Sequence, residues 1–266
     1  MQSHGACTFI TAVTVLVNAC SQALPLHSNS DSILMHICSQ RPYGHIDIFV
    51  YSDTLSRELE HYERFPGGQP FIRMNISGGT KIVAAIADVQ SEFNELPGNF
   101  DIMERITMDY ADENPSDPLQ SGFAVADSGA TVELELSPLL CPVTINSICF
   151  ESNAPLCDAF VQLERVNANA ELFRSVGFHP IRTLSGPETL DYPFMMLREI
   201  PFYIGSRPQQ AGLTLYCYPN EDEAPRGTGL LVRGLSGGIL KEFHIPLGRI
   251  CRGHKLELDI ELKEEK

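Results

Sequence analysis

The stretch Gly78-Gly79-Thr80-Lys81-Ile82-Val83-Ala84-Ala85-Ile86-Ala87 decides the class of fold. Its two glycines mark a turn. After Lys81 no polar side chain follows until Asp88. A strand with one wet face alternates apolar and polar residues, whereas an unbroken apolar run of strand length is covered on both faces. Residues 82–87 therefore read as an interior strand with core above and below. The preceding run Phe71-Ile72-Arg73-Met74-Asn75-Ile76 is also strand-like. A strand, a Gly-Gly turn and a second strand together predict a hairpin.

Outward from this stretch, short strands and turn signals continue in both directions. Ile46-Asp47-Ile48-Phe49-Val50-Tyr51 breaks at Ser52-Asp53, and Thr131-Val132-Glu133-Leu134-Glu135-Leu136 places glutamates on one face and aliphatics on the other. Further strands are expected at Val143 to Phe150, Phe160 to Leu163 and Leu213 to Tyr218. Leu230 to Arg233 and Leu240 to Ile245 flank Leu235-Ser236-Gly237-Gly238 as a second hairpin. Lys255-Leu256-Glu257-Leu258-Asp259-Ile260-Glu261-Leu262 has the sharpest alternation in the chain. Helical spacing is confined to two places. One is Asp88 to Tyr110, interrupted at Pro97-Gly98; the other is Ala168 to Val176, ended by Gly177. The pattern is all-β, of sandwich type, with one or two short helices. The length of 266 residues accommodates two such domains. Residues 31–130 and 131–264 are the expected division, after the acidic, proline-containing segment 112–121 and Ser128-Gly129.

Composition narrows the function. The formal net charge of −15 argues against nucleic acid as a partner and against binding to a bare acidic membrane surface. A hydrophobic fraction of 43% supports a true core. The first twenty residues hold an uncharged run, Ala6 to Ala19, followed by Cys20 and a polar segment. The run is too short to span a bilayer and has the shape of a secretory leader over residues 1–20, although no Lys or Arg precedes Arg41. Val17-Asn18-Ala19-Cys20 resembles a bacterial lipoprotein box, which would make Cys20 the site of lipid attachment. Cys38, Cys141, Cys149, Cys157, Cys217 and Cys251 lie beyond it. None shows the close spacing of a metal knuckle or redox motif; six in an exported chain permit disulfides in any of fifteen connectivities, while several sit in strand-like runs, where free cysteines serve as small buried hydrophobes.

No catalytic set emerges. Ser77-Gly78-Gly79-Thr80-Lys81 lacks the order of a phosphate loop, and no nucleophile elbow is present. His61, His179, His244 and His254 have no second histidine at ligand spacing. Asp109, Asp112, Glu113 and Asp117 share one segment but lack the spacing and glycine of a calcium loop, so a solvated acidic loop is expected. Phe202, Tyr203, Tyr216 and Tyr218 could form an aromatic platform for sugars, or could simply be core. Asn75-Ile76-Ser77 is a glycosylation triplet at a strand end. The expectation is a non-enzymatic protein without metal or cofactor.

The order of these segments resembles the fimbrillin-like surface proteins of Bacteroidales. Four pieces carry the likeness: Ile46 to Tyr51; Gly79 to Asp88; Gln120-Ser121-Gly122 with Val132 to Leu140; and Leu215 to Asn220 with Leu230 to Gly234 and Ile250 to Ile260. Val166-Asn167-Ala168-Asn169-Ala170 is similar to a family turn before a short helix. The resemblance implies two transthyretin-like β-sandwich domains, palmitate-type acylation of Cys20 and a place at the cell outer membrane or in a fimbrium. Its implied partners are other fimbrial subunits, joined by β-strand addition in support of adhesion. Lys255 to Leu262 would serve as an added strand, or as the closing strand of its own sandwich. Only a short segment separates Cys20 from Ile46, which leaves little donor strand and favours an anchor or accessory subunit. The rival readings are a surface glycan-binding lipoprotein, which predicts exposed aromatics in a groove, and a hydrolase on a β scaffold, which requires convergent acids and histidines.

Overall fold

The computed structural model describes residues 32–53, 55–89, 93, 95–109, 113–167, 169–173, 197–220 and 227–264. In the first half the strands are β1 (Ser32–Ser39), β2 (His45–Ser52), β3 (Leu59–Pro66), β4 (Phe71–Asn75), β5 (Thr80–Ala87), β6 (Thr107–Asp109), β7 (Gln120–Asp127) and β8 (Thr131–Pro138), with a helical turn α1 (Phe100–Met103). In the second half they are β9 (Cys141–Glu151), β10 (Cys157–Glu164), β11 (Asn169–Glu171), β12 (Leu197–Glu199), β13 (Gln209–Cys217), β14 (Gly229–Ser236), β15 (Ile239–Pro246) and β16 (Leu256–Lys263).

A seven-stranded sheet runs β3-β2-β5-β7-β8-β1-β4. β5 lies in its interior, antiparallel to β2 and β7, and is buried from Lys81 to Ala87 as the apolar run predicts. Its side chains divide by parity. Val83, Ala85 and Ala87 join Ile46, Ile48 and Val50 of β2, Ile33 and Met35 of β1, Ile72 and Met74 of β4, and Leu134 and Leu136 of β8 in one core. The sheet curls over this core so that β1, β4 and β8 cover β2 and β5. Ile82, Ala84 and Ile86 face the opposite way, into a second core with Phe49, Tyr51, Phe100, Val143, Ile145, Leu215, Leu230 and Val232. That second core runs on into the other half of the chain. Phe100 lies at its centre, 5.5 Å from Tyr51, 5.5 Å from Phe123 and 6.3 Å from Phe173 between ring centroids.

The second half forms a four-stranded sheet, β12-β10-β14-β15, and a three-stranded sheet, β13-β9-β16. β14 and β15 form the expected hairpin, with Ser236 opposite Ile239. Gly237 and Gly238 both have positive φ, 58° and 79°, which the tight two-residue turn requires. β16 pairs in parallel with β9 from Leu256 to Lys263, so within the monomer it closes its own sheet.

Several expectations are corrected. β4 and β5 are not a hairpin: β4 pairs with β1, and β5 with β2 and β7. The reason lies in their side chains. β4 alternates between buried Ile72 and Met74 and exposed neighbours, which suits an edge over one core, whereas β5 needs core on both faces. Residues 32–39 are not a free segment ahead of the first strand but β1, held between β4 and β8. Among the described residues of Asp88 to Tyr110 only Phe100–Met103 is helical, with the Asn99 side chain accepting a hydrogen bond from the Ile102 N–H at 2.9 Å. In Ala168 to Val176, Asn169–Glu171 is a strand that pairs with β6, and cross-chain pairing overrides the local helical spacing. The pairing changes sheets after Pro138, since β8 is bound to β1 and β7 and β9 to β13 and β16.

Gly122 fixes that crossing. A Cβ there would lie 1.9 Å from the backbone oxygen of Glu135, so β7 and β8 approach too closely for a side chain. Gly122→Ala is expected to cost about 2–3 kcal/mol, read as a lower midpoint in urea. Gly78→Ala meets nothing within 4 Å and should stay within about 0.5 kcal/mol of wild type.

Candidate functional site

Two features are candidates for function: a polar cluster buried between the halves of the chain, and the open edges of the second-half sheets. In the cluster, Arg252 reaches back across the molecule. Its Nη1 donates to the backbone oxygen of Leu172 at 2.6 Å, and its Nη2 to the backbone oxygens of Ser121 at 3.1 Å and Ser137 at 3.2 Å. Nη2 also bonds Ser121 Oγ, whose hydroxyl donates to the Leu172 oxygen. One guanidinium thus ties β7, β8 and the segment after β11 to the chain leading into β16. Nearby, Glu113 accepts from the Leu119 N–H at 3.4 Å and from the Tyr218 hydroxyl at 3.3 Å. Burial pushes its carboxyl up to about 7, against the pull of those two bonds and of Arg252. Burial likewise lowers Arg252 to about 10.

The cluster joins segments of the chain that are distant in sequence. Each side chain named bonds to backbone or to another member of the cluster, while Arg252 Nε is buried with no hydrogen-bond partner among the described residues. Among the described residues no group of three or more His, Cys, Asp or Glu side chains could hold a metal ion. The acidic segment is therefore not a solvated loop throughout. Glu113 is buried, while Asp109 lies in β6 opposite Asn169. Lys81, which follows the glycine turn, is buried and donates to Glu60 at 2.7 Å and Ser77 at 2.9 Å. That pairing leaves no phosphate cradle. His61 lies against Glu63 at 3.5 Å and His244 against Glu164 at 2.9 Å, on different strands. The four aromatics do not make a platform: Tyr218 is buried, Phe202 and Tyr216 pack on the core, and only Tyr203 is largely exposed at 66%. Cys20, the leader and His179 lie outside the described residues.

The sheet edges are the remaining surface. β15 pairs with β14 on one side and with no strand among the described residues on the other. Near the hairpin turn it carries Ile239 and Leu240, exposed at 64% and 58%, beside Leu235 at 38%. Inward, Phe243 packs edge-on against Phe150 of β9 at 5.4 Å. Lys241 pairs with Glu264 at 3.0 Å, so β15 borders the end of β16 across the two sheets. Among the described residues β16 itself pairs with β9 alone. An open edge with apolar side chains is a template for pairing with another chain. No motif foretold which strand would be left open, although Ile239-Leu240 directly after Gly237-Gly238 is an apolar hairpin tip readable in the sequence.

No family model matches the sequence, and neither does any curated protein. Solved structures do match. A protein from Parabacteroides distasonis provisionally described as a cell adhesion protein superposes with a TM-score of 0.65 at 11% identity, over 89% of each chain. A second such protein, from Bacteroides eggerthii, gives 0.62 at 11% identity over 88% of this chain and 87% of its own. A fimbrilin from Porphyromonas gingivalis gives 0.58 at 10% identity over 81% and 80%. The fold is thus that of Bacteroidales adhesion and fimbrial proteins. More narrowly, it is the β-rich fimbrillin-like fold that the order of segments suggested.

Glu113 gives the joint a measurable signature. A carboxyl raised in the folded state stabilises below its unfolded value, near 4.5, and that contribution is lost as pH rises through about 7. The melting temperature of the wild type should therefore fall between pH 5 and pH 8 (roughly the span of the two values) relative to Glu113→Gln, which cannot ionise. Parallel curves for the two proteins would contradict the assignment.

Proposed function

We propose that the chain is an exported, non-enzymatic cell-surface protein that builds or anchors a fimbrium and supports adhesion. The carrying observation is a fimbrillin-like fold over most of the chain, combined with an apolar edge at β15 that no described strand pairs with. In this reading other fimbrial subunits attach by strand addition. An incoming strand bonds to the outer side of β15, and its apolar side chains cover Ile239 and Leu240. Main-chain bonds supply the affinity, and the apolar contacts fix the register. β16 acts as a closing strand and not as the donor. A lipid on Cys20 holds the protein at the outer membrane, since a body of net charge −15 is repelled by anionic headgroups. The glycan-binding alternative is not favoured, because three of its four aromatics lie in or against the core.

The assembly reading is tested by replacing both Ile239 and Leu240 with Asp. These side chains are exposed, so melting should change little. In a Bacteroidales host, the cross-linked ladder containing wild-type subunit should disappear for the variant; an unchanged ladder rules out β15 as the acceptor edge. The anchor is tested by labelling with a palmitate analogue. Wild type should incorporate it and Cys20→Ala should not, and equal incorporation sinks the anchor.

A further inference from the structure

We infer that Cys141 and Cys217 are a site of oxidative modification and form a cross-strand disulfide. Backbone pairing carries the inference. β9 and β13 are antiparallel, with Cys141 directly opposite Cys217. Directly opposed residues on such strands have Cα atoms about 4.5–5.5 Å apart, within the range a disulfide spans. Both side chains point into the core, with Leu215 and Val143 as their same-face neighbours. Cys217 Sγ already lies 3.9 Å from the backbone oxygen of Cys141.

The other described cysteines have no such partner. Cys38 is opposite Glu135, Cys149 opposite Glu261 and Cys157 opposite Leu235. Cys251 is the one further cysteine near the pair, and it presents its backbone oxygen to Cys141 Sγ, at 3.3 Å. All six stand as thiols in the structure. Burial raises Cys141 to about 12 and Cys217 well above its ordinary value, so neither supplies a thiolate once the fold has closed. The bond therefore forms while β13 is docking on β9. One thiolate attacks the disulfide of a thiol oxidant and expels one of its sulfurs as a thiolate. The second cysteine then displaces the other sulfur from the mixed disulfide. The two cysteine protons pass through solvent to the oxidant's two sulfurs and two electrons pass to the oxidant, leaving one S–S bond and the oxidant reduced to two thiols. Closing the chain between positions 76 residues apart restricts the unfolded state, and the finished bond is shielded from reductant.

The test uses the full chain refolded with oxidised glutathione. Free thiols are alkylated after denaturation, and the tryptic peptides are mapped by mass across all eight cysteines. The expected result is one linked species joining the peptides of Cys141 and Cys217, with the other described cysteines alkylated. Reduction should lower the melting temperature of the wild type by roughly 5–10 °C and leave the Cys141→Ala/Cys217→Ala variant unmoved. Alkylation of both cysteines in the refolded wild type overturns the inference, as does a link from either one to Cys251. The peptide map reads the wild type alone, so it decides the matter even if the variant does not fold.

Discussion

The structure depends on β5 being apolar on both faces. A sheet with one wet face can be finished by a single layer of cover. A strand reading Ile82-Val83-Ala84-Ala85-Ile86-Ala87 cannot, because either face left open would expose a row of aliphatics. One face is satisfied when the seven-stranded sheet curls on itself and lays β1, β4 and β8 over β2 and β5. The other can be satisfied only by something outside that curl, and α1 and the second half supply it. The union of the two halves is thus a packing requirement of one strand. Small side chains at Ala84, Ala85 and Ala87 let both cores approach closely.

The buried polar groups make this arrangement specific. Apolar packing is tolerant of sliding; hydrogen bonds to buried carbonyls are not. Arg252 fixes the relative position of three segments through backbone oxygens, whose direction is set by the strands that carry them. Asp47 does the same within the first sheet. Fully buried on the face that β2 presents to the second core, it accepts two bonds from Arg64 at 2.8 and 2.9 Å and one from the Tyr62 hydroxyl at 2.7 Å. Such pairs add little net stability but exclude registers in which the charge would be left alone.

What could be read from the sequence was whatever is local. The two-faced burial of β5, the Gly237-Gly238 hairpin and the alternation of β16 all follow from neighbouring residues. Pairing partners do not. Gly78-Gly79 has the chemistry of a hairpin turn, yet it joins strands of different layers, because partner choice is decided by how many faces each strand must bury. Ser32 to Ser39 alternates Ile33, Met35 and Ile37, a legible strand signal masked by the polar segment before it. Asn169–Glu171 carries helical spacing and is a strand because β6 lies opposite. The polar joint left no trace: nothing in Cys251-Arg252-Gly253 or in Glu113 distinguishes a buried charge from a solvated one. The open edge was half legible, since the apolar tip shows in the sequence while its lack of a neighbour does not.

The parallel pairing of β16 with β9 has a temporal consequence. Ser147 and Asp259 touch across 112 residues of chain, so the three-stranded sheet has a high contact order and is completed by a strand made well after β9. Until that strand arrives, β9 lacks its parallel neighbour and the second half cannot close. A chain emerging from its N-terminus therefore carries β9 without that neighbour while the residues between the two strands are made. During that interval the edge of β9 that β16 will cover stays available to any other strand that can pair with it.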